Sequence, residues 1–163
     1  MSDAAALESF RLADSFLPVG TYTVSYGLEQ FIQDDRVEDA AELEALLSTY
    51  LRRQVGPAEL VALRAAHAAA TEGDLDAVCR ADRRLSAVTL AAEFRESAQQ
   101  SGDRLLSLQI ELREEALLDR YAERVDADEA PGNYAVVLGV ATGLAGVPVR
   151  EACLLCCHGF VTG

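Results

Sequence analysis

The stretch AAEFRESAQQSGDRLLSLQIEL, Ala91 to Leu112, carries a run of residues that advances only by fours and threes. Phe94, Ala98, Ser101, Leu105, Leu108 and Leu112 therefore stack along one side of a helix and form a seam for a second helix. A half-buried strand would need strict alternation, which is absent here. The stretch is read as a long central helix. Its polar side carries Glu93, Ser97, Gln100 and Arg104 at the same kind of spacing, which is either plain solvent surface or a docking face.

The same texture spreads outward in both directions. The chain is rich in Ala and Leu with few β-branched runs, and helical spacing recurs from segment to segment. The expected fold is all-α, one multi-helix bundle with a long central helix, formed by residues 1–163 as a single domain. Ala4 to Ala13 reads as a first helix, stopped by Pro18 and Gly20. A second runs from Ser25 or Tyr26 to Asp34. Asp39 with Glu42 makes a capping-box start for a third, whose face is Leu43, Leu46, Leu47, Tyr50 and Leu51. That helix is expected to end near Gly56, with Pro57 opening the next one. Leu60, Leu63 and His67 then share a stripe that Gly73 closes, and Asp74 caps a further helix.

Val125 to Asn133, VDADEAPGN, is acidic and aperiodic, with Pro and Gly; it reads as a loop. The text after it is nearly all apolar but is interrupted at Pro148, Arg150 and Glu151. Each piece is shorter than the roughly 20 residues that cross a bilayer, so two buried helices are expected. Gly139 and Gly143 have the small-xxx-small spacing that lets two helix backbones approach closely.

Charge narrows the function classes. The chain of 163 residues has 27 Asp and Glu against 14 basic residues, every one of them Arg, and a formal net charge of −13. Such a surface repels phosphate backbones and anionic lipid, so neither nucleic acid nor membrane is an expected partner. It suits a solvated acidic protein or one adapted to salt. The N-terminal MSDAAALESFRLAD lacks the basic region and apolar core of a signal peptide, and a cytoplasmic location is expected.

Catalytic patterns are missing. With two His in the chain, a Ser-His-Asp triad would draw on His67 or His158, and neither is accompanied by a nucleophile elbow. No phosphate loop, dinucleotide fingerprint or H-E-x-x-H occurs. The expectation is a non-enzyme. His67, on a stripe with Leu60 and Leu63, reads first as a hydrogen-bonded core or interface histidine and second as a ligand. Cys153, Cys156, Cys157 and His158 offer four potential ligands for zinc or nickel in six residues. On one helix, however, Cys153 and Cys157 share a face while Cys156 points elsewhere. Structural thiols are the first reading and a soft-metal site the second.

Asp14 to Phe31, DSFLPVGTYTVSYGLEQF, neither alternates nor repeats, and it combines turn residues with Tyr22 and Tyr26, whose apolar bodies and polar tips suit an interface. It resembles the N-terminal signature of the urease accessory protein F (UreF) family, D-S-x-L-P-x-G leading into S-x-G-L-E. The matching residues are Asp14, Ser15, Leu17, Pro18, Val19, Gly20, Ser25, Tyr26, Gly27, Leu28 and Glu29. A second block is similar to the family's E-x-R-x-S-x-x-x-x-G-x-x-L-L element, through Glu93, Arg95, Ser97, Gly102, Arg104, Leu105 and Leu106. YAVVLGVATGLAGV, from Tyr134, is similar to the family's late glycine-containing helix. Two departures stand out. Asn133 occupies a position that is often His in the family, and the chain stops at HGFVTG where the family usually continues with an Arg-Leu-containing stretch and further helices. Either the chain is truncated or it is a short member.

The resemblance implies an all-α, non-catalytic maturation factor for nickel urease. It would bind accessory protein D (also called H), recruit and regulate the nickel-carrying GTPase accessory protein G, and assist nickel delivery to apo-urease, typically as a homodimer. No tightly bound cofactor is implied, since nickel is handled by the complex. Partner-binding residues would be Tyr22, Ser25, Tyr26, Glu29, Glu93, Arg95, Ser97 and Arg104, with Pro18, Gly20, Gly27 and Gly102 shaping the motifs. The reading from another class is a nickel or zinc metallochaperone that uses Cys153, Cys156, Cys157 and His158.

Overall fold

The computed structural model describes residues 1–14, 16–19 and 28–162, and its regular structure among these is helical throughout. Helix α1 (Asp3–Ala13) begins where the Ser2 hydroxyl accepts the Ala5 N–H at 3.2 Å, satisfying one of the orphan donors of a first turn. Helix α2 spans Leu28–Gln33. Its expected start at Ser25 or Tyr26, together with Ser15, Gly20, Tyr22 and Gly27, lies outside the described residues.

Helix α3 (Ala40–Tyr50) opens on the predicted cap. Asp39 accepts the Glu42 N–H at 2.9 Å, while the Glu42 carboxylate turns back to the Glu38 N–H at 2.8 Å, one residue further out than in a standard capping box. The expected break at Gly56 and restart at Pro57 do not occur. Instead Leu51–Glu59 continues as a π-helical segment with Pro57 inside it, and runs directly into α4 (Leu60–Glu72). Pro57 has no N–H to donate and its ring crowds an α-helical turn. The wider turn goes around it, bonding Leu60 N–H to Val55 C=O, while fully buried Val55 fixes the segment to the core.

The core is built on the crossing of α4 with α8 (Tyr134–Leu144), in which every residue from Ala135 to Gly143 is buried. Small residues make this possible. A Cβ placed on Gly139 would stand 2.4 Å from the Leu63 carbonyl oxygen, and one on Gly143 would stand 2.7 Å from that of His67. The predicted close approach is therefore met by α4, with Ala66 and Ala70 on its facing side. The His67 ring Nε2–H donates to the Val147 carbonyl at 2.7 Å, so this half-buried histidine ties α4 to the connection after α8. Gly73 ends α4 in the left-handed region at φ 73°, and Asp74 caps α5 (Leu75–Val88) by accepting the Ala77 N–H.

Helix α6 (Ala92–Leu112) is the longest at 21 residues and lies along α8. The predicted stripe is buried only in its middle, at Ser101 and Leu105; Phe94 and Ala98 are half-buried and Leu112 is exposed. Gly102 sets the depth of contact, because a Cβ there would stand 1.8 Å from the Gly132 carbonyl oxygen. Helix α7 (Ala116–Asp126) leads into the predicted loop, whose turns use positive φ at Asp128 and Gly132. Helix α9 (Val149–Thr162) packs one side on α8, α4 and α1. No described helix is long and apolar enough to cross a membrane.

Candidate docking cleft

Helix α3 has an apolar stripe but no buried residue, and it packs chiefly on the π-helical segment that follows it. Its Leu43, Leu46 and Leu47 instead overlook a cleft of about 700 Å³. The first half of α6 also lines it, with Phe94, Ser97 and Ala98. The end of α5, the start of α8 and the last turns of α9 complete it. Phe94 and Ala98, which begin the α6 stripe, line this cleft and are half-buried.

A buried polar cluster holds the floor. Asp82, fully buried, accepts from the Tyr121 hydroxyl at 2.6 Å and from the Gly132 N–H at 2.7 Å. It also accepts from the Asn133 N–H at 3.0 Å and the Asn133 side-chain amide at 2.7 Å. That amide also donates to the Ser86 hydroxyl at 2.8 Å. One carboxylate on α5 thus fixes the turn that starts α8, and burial, the Asp82 charge and their hydrogen bond hold the Tyr121 phenol well above its usual range. Asn133 lines the cleft as part of this clip. Sequence reading missed Asp82, although it occupies an apolar position in the run Leu75, Val78, Cys79, Asp82, Leu85, and a lone acid there signals a buried partner.

Glu59, at the end of the π-helical segment, is the other ionisable group of note. It is partly buried in the cleft, and desolvation raises its carboxyl from 4.5 to about 7. No described residue supplies a hydrogen bond or an opposing charge that offsets this. Burial likewise raises the Tyr134 phenol and, to well above the usual range, the Cys156 thiol, with the Glu59 charge acting in the same direction on both.

Of the residues predicted to meet partners, Glu29 and Ser97 come together on this cleft. Arg95 acts locally, its guanidinium donating to the carbonyls of Thr89 at 2.7 Å and Leu90 at 2.8 Å and so holding the α5–α6 connection against the rim. Glu93 and Arg104 are exposed on α6. Pro18 sits exposed in the turn after α1. Tyr22, Ser25 and Tyr26 lie outside the described residues. At the other end, Cys156 is buried, Cys153 and Cys157 are half-buried and His158 is exposed. Among the described residues no three or more His, Cys, Asp or Glu side chains are gathered as metal ligands.

What the fold defines is an all-α protein with a cleft lined by five or more of its helices. The UreF family model matches residues 37–163, and the chain belongs to the UreF family. It is 34% identical over 160 residues to a protein of Trichodesmium erythraeum (strain IMS101) named urease accessory protein UreF, a match covering 96% of this chain and 67% of the relative. Proteins of the same name from Bacillus sp. (strain TB-90) and Corynebacterium glutamicum (strain R) are 31% and 32% identical over 134 and 141 residues. Those matches cover 82% and 86% of this chain and 59% and 61% of the relatives. The chain thus spans about two thirds or less of the length of these curated relatives.

Proposed function

We propose that the protein is a urease maturation adaptor that acts by binding other proteins and catalyses nothing itself. In this role it forms a complex with accessory protein D (also called H), recruits the GTPase accessory protein G and regulates it, and leaves nickel in the hands of its partners. Homodimer formation and a cytoplasmic location belong to the same proposal. The residues proposed to meet partners are Tyr22, Ser25, Tyr26, Glu29, Glu93, Arg95, Ser97 and Arg104, of which Glu29 and Ser97 line the cleft.

Membership of the UreF family carries the proposal. Two physical features support it. The apolar face of α3 is at most half-buried, which leaves apolar surface that a protein partner can cover. The net charge of −13 disfavours nucleic acid and anionic lipid while raising the encounter rate with a basic protein surface.

Co-purification with accessory proteins D and G, with nickel quantified on each isolated component, tests the proposal. A stable complex with negligible nickel on this chain is the expected result. Absence of any complex together with stoichiometric nickel on the isolated chain, lost when Cys153, Cys156 and Cys157 become Ser, would replace the adaptor by a metal carrier.

A further inference from the structure

The geometry points to a site for one soft monovalent metal ion, of which Cu(I) is the type, held between the thiols of Cys153 and Cys157 on α9. It is separate from the adaptor role and from nickel. Both side chains are half-buried, so an ion in solution can reach them, and both thiols are free. They stand four residues apart on one helix, which puts them on the same face with about 5–6 Å between Cβ atoms. Two metal–sulfur bonds of about 2.3 Å each span about 4.6 Å, so a single ion bridges the pair with one sulfur on either side of it. A disulfide would need the Cβ atoms at about 3.5–4.5 Å, closer than this spacing brings them. The pair is therefore better suited to taking an ion than to closing on itself.

The surroundings choose the ion. Among the described residues no three His, Cys, Asp or Glu side chains gather as ligands, so the tetrahedral set that zinc requires is not supplied. Cys156 is buried on another face of α9 and His158 is exposed. Two sulfurs alone satisfy a soft ion that prefers linear coordination, and thiolate selects Cu(I) in this way. Binding exchanges two S–H bonds for two S–metal bonds, releases two protons, leaves one net negative charge and moves no electron. Burial raises both thiols, so only a strongly thiophilic ion displaces both protons. The Arg64 charge on α4 favours the Cys153 thiolate and offsets the charge of the complex. Glu59 opposes the Cys157 thiolate, but its own carboxyl, raised to about 7, is only partly ionised at neutral pH.

Anaerobic titration of the whole chain with Cu(I), in competition with a chromophoric Cu(I) chelator, tests the site, with nickel titrated in parallel. The expected result is one Cu(I) per chain. Cys153→Ser and Cys157→Ser should each weaken binding about 100-fold or more, because a single thiolate does not hold a two-coordinate ion. Cys156→Ala and Cys79→Ala should bind as wild type, with circular dichroism confirming equal helicity in every variant. A wild-type chain that takes no Cu(I) from the chelator overturns the site, and so do serine variants that bind as tightly as wild type. Loss of the ion in Cys156→Ala overturns the assignment to this pair, and nickel held there as tightly as Cu(I) overturns the selectivity. None of these outcomes touches complex formation with accessory proteins D and G, so the adaptor role stands or falls by its own co-purification.

Discussion

Replacing Gly139 by Ala puts one methyl group where α4 and α8 cross. The new Cβ would stand 2.4 Å from the Leu63 carbonyl oxygen, 3.1 Å from the Ala66 Cβ and 3.2 Å from the His67 nitrogen. Two of those three atoms are backbone, so no side-chain rotation relieves the clash, and the helices must separate by about 1 Å to restore van der Waals contact. Overpacking of this kind costs about 1–3 kcal/mol, and the upper end applies because two rigid helices of the core must move. Against it stands the better helix propensity of Ala, about 1 kcal/mol. A net loss of about 2 kcal/mol follows, equivalent to a fall in Tm of about 4–8 °C for a domain of this size. Gly159→Ala is the matched control: Gly159 lies in α9 with nothing within 4 Å of the added Cβ, so the same substitution there should be neutral or stabilise by up to about 1 kcal/mol. Urea and thermal unfolding followed by far-UV circular dichroism measure both. A Gly139→Ala protein as stable as the Gly159→Ala protein would refute the close crossing of α4 and α8.

Three further outcomes are expected. Asp82→Ala leaves the Tyr121 hydroxyl, two backbone N–H groups and the Asn133 amide without their shared acceptor, and should cost about 3–5 kcal/mol in urea unfolding. Glu8 is raised by burial but lowered further by its hydrogen bond to Arg11 and the charge of Arg113, which lies 3.0 Å away, so its folded pKa falls below 4.5. Its contribution is present above 4.5 and disappears as pH falls through the folded value; Glu8→Gln should cost about 1 kcal/mol at neutral pH and nothing in acid. Glu59 has the opposite sign: between 4.5 and about 7 the folded state binds more protons than the unfolded, so stability declines with rising pH. Glu59→Gln should match wild type below that window and exceed it by about 3 kcal/mol above it in equilibrium unfolding; equal pH profiles would show that the carboxyl is well hydrated.

Local chemistry was legible wherever a few neighbouring residues decide the outcome. Asp39 and Asp74 cap helices because a short acceptor meets N–H groups only three residues away, and Gly73 ends α4 because it tolerates positive φ. The middle of the α6 seam, at Ser101 and Leu105, and the glycine pair on α8 follow from helical period alone, and so does the all-α class. Pro57 shows the limit of such rules. A proline ordinarily marks a helix start, but buried Val55 holds the chain on course and the backbone widens into a π turn instead. What distant parts of the chain do together was invisible. Asp82 meets Asn133 across 51 residues of sequence, and no periodicity encodes that pairing. The cleft likewise draws its lining from α3, the π segment, α5, α6, α8 and α9 at once, which no local pattern encodes. The ionisation of Glu59 is set by the desolvation that this enclosure imposes. Helix identity and caps reside in the sequence because hydrogen bonds between near neighbours create them, whereas the cleft depends on how far apart the finished helices come to rest.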